Sequence, residues 1–143
     1  MCQRLYIASR NRLQTKRKKR SAFLLSVDDV STDPSARGRF GSDREFVYLV
    51  GGHAPCGCGF PAIPAEAGPP GLDVDPLDLQ SMRALAEHLR DACRGHSTVE
   101  LYLCWAHDES EPPLTQRTVV WPDLVEDHFR LRHREMLTVG RAP

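Results

Sequence analysis

An apolar stripe with a helical period is the feature that most constrains the fold of this 143-residue chain. Between residues 79 and 93, apolar side chains recur at steps of three and four, which places them along one face of a helix. Asp75-Pro76 or Ser81 is a suitable start for this helix, and Gly95 suits its end. The stripe predicts a main helix whose apolar face, including Cys93, packs into the core; its members are Leu79, Met82, Leu85, Ala86, Leu89 and Cys93.

The layer under this helix is predicted to be a sheet. Five short runs have the composition of strands, and they cover residues 4–8, 21–27, 45–50, 98–106 and 134–139. A short second helix is expected over 122–129, where proline stands in the first turn. The turn-rich segment 30–43 and the Pro/Gly-rich segment 61–76 are expected to be loops. The sequence therefore predicts a single α+β domain over 1–143, with a mostly antiparallel sheet of about five strands and one main helix on one face.

Strand alternation assigns the cysteines near the strands to a face. In the run 98–106, Val99, Leu101 and Leu103 share one parity and are expected to face the helix, because side chains alternate between the two sides of a strand. Cys104 has the opposite parity, and Cys2 shares the parity of Tyr6. Both thiols are therefore predicted on the face away from the helix.

Composition excludes some classes of protein. No run of about 18 apolar residues is present, so no membrane-spanning helix is expected. The first ten residues lack the apolar stretch of a signal peptide, which favours a cytoplasmic location where thiols stay reduced. Five cysteines is an odd number and argues against a complete disulfide framework.

The segment HAPCGCGF, residues 53–60, is the strongest candidate for a site. Its two thiols lie two positions apart, and the glycines after them allow a tight turn around an ion. Thiolate and imidazole suit zinc best, although Cu(I) also accepts a C-x-C pair. The hypothesis is a metal site that uses the C-x-C pair and two further ligands, provided that the ends of three strands meet; the candidate ligands are Cys56, Cys58, Cys2, Cys104, His53 and His107.

Two other interpretations of the same segment stay open. The cysteines can pack as small apolar side chains. Alternatively, a C-x-C disulfide closes a small strained ring that is easily reduced, which is typical of a thiol-redox protein. Sequence motifs for hydrolases, P-loop proteins and dinucleotide enzymes are absent, so a non-enzymatic role is favoured.

Positive charge is concentrated in one segment. Residues 10–20 hold seven Lys and Arg, although the net charge of the whole chain is zero. A solvated loop is the ordinary explanation of such a run. The alternative is an interaction module that binds nucleic acid through phosphate contacts, and the residues concerned are Lys16, Arg17, Lys18, Lys19 and Arg20.

Four stretches of the chain together resemble a family of small bacterial proteins with a domain of uncharacterised function. They are MCQRLYIASR, VYLVGGHAPCGCGF, SMRALAEHLRDA followed by VELYLCWAHDESEPP, and HFRLRHREMLTV. The CGCGF stretch is the most distinctive part. The resemblance implies a compact single domain and a bacterial origin, and it supplies no catalytic residues.

Overall fold

A computed structural model describes residues 2–16, 25–40, 43–53, 57–64, 74–94, 97–126 and 129–141. The helices are α1, Pro34–Arg37, and α2, Pro76–Ala92. Two short 3₁₀ turns cover Gly57–Gly59 and Trp121–Val125. The strands are β1 (Gln3–Ser9), β2 (Ser26–Asp29), β3 (Phe46–Gly51), β4 (Ala62–Ile63), β5 (Val99–Trp105), β6 (Thr115–Val120), β7 (Leu131–Arg132) and β8 (Glu135–Gly140).

Six of these strands form one sheet in the order β2-β3-β1-β5-β8-β6. Neighbouring strands are antiparallel except for β6 and β8, which run parallel. The short strands β4 and β7 pair in parallel as a separate two-stranded sheet. The fold is thus a single α+β domain with a mostly antiparallel sheet and one main helix, as predicted, and the sheet has six strands where about five were expected.

Helix α2 begins where its sequence indicates. The Asp75 carboxylate accepts a hydrogen bond from the backbone N–H of Leu77 at 2.9 Å, and Pro76 occupies the first helical position. Met82, Leu85, Ala86 and Leu89 of the stripe are buried in the core, whereas Leu79 in the first turn is only partly buried. Cys93 at the helix end is fully buried, so its assignment to the core is confirmed. Among the described residues, no helix has both the length and the apolar character required to cross a bilayer.

The two faces of the sheet divide the side chains by strand parity. Leu5 of β1 lies opposite Leu103 of β5 on the α2 side, and Tyr6 lies opposite Tyr102 on the other side. The predicted parities are correct, but the second face is also buried. The segment over 30–40, which was predicted to be a loop, contains α1 and packs on this face, so that Cys104 is fully enclosed.

Several predicted boundaries were wrong. The second strand begins only at Ser26 within the described residues and continues to Asp29, and residues 21–24 of the predicted run lie outside them. The Pro/Gly-rich loop contains β4, because Leu131 donates a backbone hydrogen bond to Pro61 and extends the pairing with β7. The expected helix over 122–129 is a 3₁₀ turn over Trp121–Val125. Strand β6 was not predicted.

A buried ion pair ties the start of β3 to the start of β5. The Arg44 guanidinium donates to the Glu100 carboxylate at 2.8 Å and to the Thr98 side-chain oxygen at 2.9 Å. It also donates to the backbone carbonyl of Thr98. The side chain of Arg44 is only 8% exposed and that of Glu100 is 19% exposed. These contacts fix the end of the sheet that lies opposite the C-x-C segment.

Candidate functional site

Three strand ends meet at the other end of the sheet. Because β1 is antiparallel to both β3 and β5, its start lies beside the ends of these two strands. Gln3 is paired with Trp105, and the backbone N–H of Ala106 donates to the carbonyl of Cys2 at 2.9 Å. The segments that carry Cys2, His53 and His107 therefore start from one edge of the molecule, which was the condition for the predicted ligand set.

Two glycines, Gly52 and Gly59, bring the backbone before residue 54 close to the backbone after residue 57. A Cβ atom placed on Gly52 would lie 2.8 Å from the Gly59 carbonyl oxygen and 3.0 Å from the Ser81 hydroxyl. Only glycine fits such a close approach of two backbones. His53 directly follows Gly52, and Cys58 directly precedes Gly59. The segments that carry His53 and Cys58 are therefore held together.

His53 is fixed by two contacts with the first turns of α2. Its backbone N–H donates to the buried Ser81 hydroxyl at 2.8 Å, and its ring Nε2 lies 2.6 Å from Asp78 Oδ1. An ionised carboxylate only accepts hydrogen bonds, so Nε2 carries the proton. In a neutral imidazole, Nδ1 then keeps a lone pair for another ligand.

Asp75 belongs to the same corner. One ligand atom from each of His53, Asp75 and Asp78 lies within 4.8 Å of the others, which is close enough for one metal ion to contact all three. Asp75 and Asp78 were not predicted as site residues. Their spacing of three within the first turn of a helix was visible in the sequence, but their contact with His53 joins residues 25 apart.

Cys58 lies next to Cys2. The backbone N–H of Gln3 donates to the Cys58 sulfur at 3.4 Å. Since Gln3 N is two bonds from the Cα atom of Cys2, this sulfur lies within about 6 Å of that atom. Both cysteines are free and exposed.

The other predicted ligands have different surroundings. Cys104 is fully buried, and burial raises the pKa of its thiol to about 11 even though the nearby guanidinium of Arg39 opposes this shift. His107 is 62% exposed and lies 3.4 Å from Asp108. Across the part of the chain that the structure describes, no group of three metal-ligand side chains within that distance includes Cys2, Cys58, Cys104 or His107. Cys56 lies outside the described residues.

The basic segment is described only at its beginning. Lys16 exchanges two backbone hydrogen bonds with Val27, at 3.0 and 2.9 Å, and so extends the sheet beyond β2. Residues 17–20 lie outside the described residues, so nucleic-acid binding by this segment stays a prediction.

The burial of the thiols predicts their reactivity. In a Cys56→Ser variant, we expect Cys2 and Cys58 to react rapidly with a disulfide reagent at neutral pH. Cys93 and Cys104 should react only on unfolding, because both are fully buried and burial raises the pKa of each thiol to about 11. Mass spectrometry of the labelled protein over time identifies the modified residues. Early labelling of Cys104 in the folded protein would contradict this arrangement.

Comparisons with protein families, with curated proteins and with solved structures gave no match to this chain. The resemblance to a family of small bacterial proteins therefore stays a prediction.

Proposed function

We propose that this protein binds one zinc ion at the end of the sheet where β1 begins. The ligands are Cys56, Cys58 and His53, and Cys2 is the fourth. The contact between His53 Nε2 and Asp78 Oδ1, at 2.6 Å, is the observation that carries this proposal. Zinc-bound histidines almost always donate their second ring N–H to a carboxylate or carbonyl, which fixes the ring and makes the free nitrogen more basic.

The thiols complete a soft ligand set. Thiolate and imidazole are the ligands that structural zinc sites use most, in a closed tetrahedral arrangement. Cys58 is exposed, and its sulfur accepts a hydrogen bond from the backbone N–H of Gln3 at 3.4 Å, which fixes the sulfur beside the start of β1. The role that follows is structural or regulatory rather than catalytic, because a closed four-ligand site leaves no position for a substrate.

Burial argues against Cys104 as a ligand. Cys104 would have to leave a closed apolar cluster, and its raised pKa disfavours the thiolate that a metal needs. A structural zinc site is complete with four ligands, so His107, whose side chain is mostly exposed beside Asp108, is not needed. We infer a reducing compartment, the cytoplasm, because the proposed ligands must stay unoxidised; the four described cysteines are free.

The test uses Co²⁺ as a spectroscopic substitute for Zn²⁺. We expect one Co²⁺ to bind with the tetrahedral visible spectrum and the near-UV charge-transfer bands of thiolate ligands, and Zn²⁺ to displace it. Cys56→Ser/Cys58→Ser and His53→Gln should lose this spectrum. Asp78→Asn should retain the spectrum and bind about 10- to 100-fold more weakly, because it removes only the group behind the imidazole.

Two variants make the test specific. His107→Gln should bind like the unmodified protein. Asp75→Asn should also do so, and it preserves the helix start because asparagine caps as well as aspartate. A different result would be a Co²⁺ spectrum that lacks the thiolate bands and is lost in Asp75→Asn. That result would replace the proposal with an oxygen-rich site of His53, Asp75 and Asp78. No stoichiometric Co²⁺ binding by folded, reduced protein would overturn metal binding altogether.

A thiol-redox role is the second candidate, and the contact of Cys58 with Gln3 favours it. This contact places two exposed thiols near each other and donates a hydrogen bond to one of them. In that case a dithiol–disulfide titration should show a disulfide between Cys58 and Cys2 or Cys56 that glutathione reduces. Binding of zinc should block its formation if both roles share the site.

A further inference from the structure

A cavity of about 450 Å³ lies beside the last turn of α2, whereas the proposed zinc site lies beside the first turns of this helix. Three segments meet at this cavity: the end of α2, the 3₁₀ turn that follows β6, and the chain after β8. We call it the Trp121 cavity, and its lining residues are Arg90, Asp91, Cys93, Arg94, Trp121 and Arg141.

Trp121 supplies the aromatic surface of the Trp121 cavity. Its side chain packs against the hydrophobic core but is only partly buried. Cys93 is fully buried, and its thiol is bound to the Val139 carbonyl, so it contributes wall and no reactive group. An indole that stays partly accessible in a cavity of this size provides a surface on which a flat ring can stack.

The rim of the Trp121 cavity is basic. Three guanidinium groups and one carboxylate line it, which gives a net charge of +2. The carboxylate, Asp91, lies 2.9 Å from Arg94 and 4.0 Å from Arg90. The side chains of Arg90 and Arg94 are nevertheless 57% and 80% exposed, so both remain accessible to an anion. Glu87, one turn earlier in α2, does not line the cavity.

The positive charge continues beyond this cavity. A smaller cavity of about 140 Å³ adjoins it, because Asp91 lines both, and this neighbour is also lined by Arg12 and His88. Burial lowers the pKa of the His88 imidazole, and the nearby ammonium of Lys16 lowers it further. Lys16 therefore lies on the same side of the molecule, and the rest of the basic segment follows it in the chain. The basic surface spans two cavities and is larger than a single small ligand needs.

We propose that this surface binds single-stranded nucleic acid, with one base in the Trp121 cavity and the adjoining phosphates on the arginines. Surfaces that bind single strands combine positive charge along the backbone with aromatic rings on which bases stack. A duplex keeps its bases paired and stacked, so none of them can enter the cavity. A lipid surface fits less well, because the large exposed apolar side chains among the described residues all lie outside the cavity; they are Leu77, Leu114 and Val125.

Fluorescence anisotropy with labelled oligonucleotides tests the proposal. We expect oligo(dT) or oligo(U) of about twelve nucleotides to bind saturably in the micromolar range at about 50 mM salt, with and without a metal chelator. The two probes distinguish DNA from RNA. The logarithm of the binding constant should fall with the logarithm of the salt concentration with a slope of about −2, since three neutralised phosphates contribute about −0.7 each.

Matched variants separate stacking from charge. Trp121→Leu should bind about fivefold more weakly or worse with an unchanged salt slope, because stacking does not release counterions. Arg90→Gln/Arg141→Gln should bind more weakly and make the slope less steep by about 1. Arg4→Gln is the control, because this partly exposed arginine lies at the start of β1, at the other end of the sheet, and should leave both quantities unchanged. Circular dichroism and urea unfolding establish that each variant is folded.

Trp121 also reports on binding directly. The chain has two tryptophans, so a Trp105→Phe background leaves Trp121 as the fluorophore, and oligo(dT) should quench it saturably. The proposal is overturned if neither oligonucleotide binds to the folded protein at low salt. It is overturned as well if a duplex of the same length binds equally tightly, or if binding depends on residues 16–20 but not on Trp121, Arg90 and Arg141. Equal affinity for thymidine monophosphate and oligo(dT) would replace the polymer with a small ligand.

Discussion

Raising the pH from about 8 to about 11 should destabilise this protein by about 5 kcal/mol, through two buried thiols. Burial raises the pKa values of Cys93 and Cys104 from the ordinary 9.0 to about 11 in each case. The Cys93 thiol also donates a hydrogen bond to the Val139 carbonyl. An unfolded chain ionises both thiols near pH 9, and the folded protein resists this until about pH 11.

The sign follows from these directions. Each buried thiol has a higher pKa in the folded protein than in the unfolded chain. Below the pKa of the unfolded chain both states keep the proton, so the folded state has its full stability. As the pH rises from there to the pKa of the folded protein, only the unfolded chain ionises, and this stability is lost. The loss therefore falls between about pH 9 and pH 11. Burial also raises the pKa values of three tyrosines, which extends the destabilisation above pH 10; these are Tyr6, Tyr48 and Tyr102.

Urea unfolding in reducing buffer across this range measures the effect. Cys93→Ala/Cys104→Ala should be less stable at neutral pH, but its stability should fall much less steeply between pH 9 and 11. Cys2→Ser/Cys58→Ser provides the control, because both thiols are exposed and its slope should match that of the unmodified protein. If the stability of Cys93→Ala/Cys104→Ala fell as steeply between pH 9 and 11 as that of the unmodified protein, the two buried thiols would not be the cause.

Replacement of Arg44 by methionine should cost about 3 kcal/mol or more of folding stability. The substitution leaves the Glu100 carboxylate without the guanidinium that neutralises it at 2.8 Å, and leaves the Thr98 oxygens without a donor. Breaking one half of a buried ion pair is expensive because the remaining charge stays desolvated.

A matched surface pair isolates the contribution of burial. Arg10 and Asp43 lie 2.6 Å apart, but their side chains are 65% and 54% exposed. Arg10→Met should therefore have a much smaller effect than Arg44→Met, since water replaces the lost partner. Arg44→Met/Glu100→Met should recover part of the loss. Equal effects of Arg10→Met and Arg44→Met in urea unfolding would show that burial of the pair is unimportant.

The parts of the fold that follow from local periodicity could be predicted from the sequence. Helix α2, the strands β1, β3, β5 and β8 and the parity of their side chains follow from the repeat of apolar residues. Strand β6 could not be predicted in this way. Its first four residues, over 115–118, are exposed at the edge of the sheet and carry polar side chains, so no alternation marks them.

The candidate site was only partly predictable for a different reason. The sequence indicated His53 and Cys58, because the C-x-C segment is locally distinctive. It did not indicate Asp78, whose contact with His53 depends on how α2 packs on the sheet. Nor did it indicate that α1 closes the second face, and this burial is what separates Cys104 from the exposed thiols.

The order of strands in the sheet has a consequence for synthesis on the ribosome. β8 lies between β5 and β6 in space, but it follows both of them along the chain. While the polypeptide emerges, β5 therefore has an open edge and β6 has no neighbour until residues 135–140 have left the exit tunnel. An unpaired edge is a template for pairing with other chains. We expect stalled or truncated products that end between β6 and β8 to aggregate more readily than the finished protein.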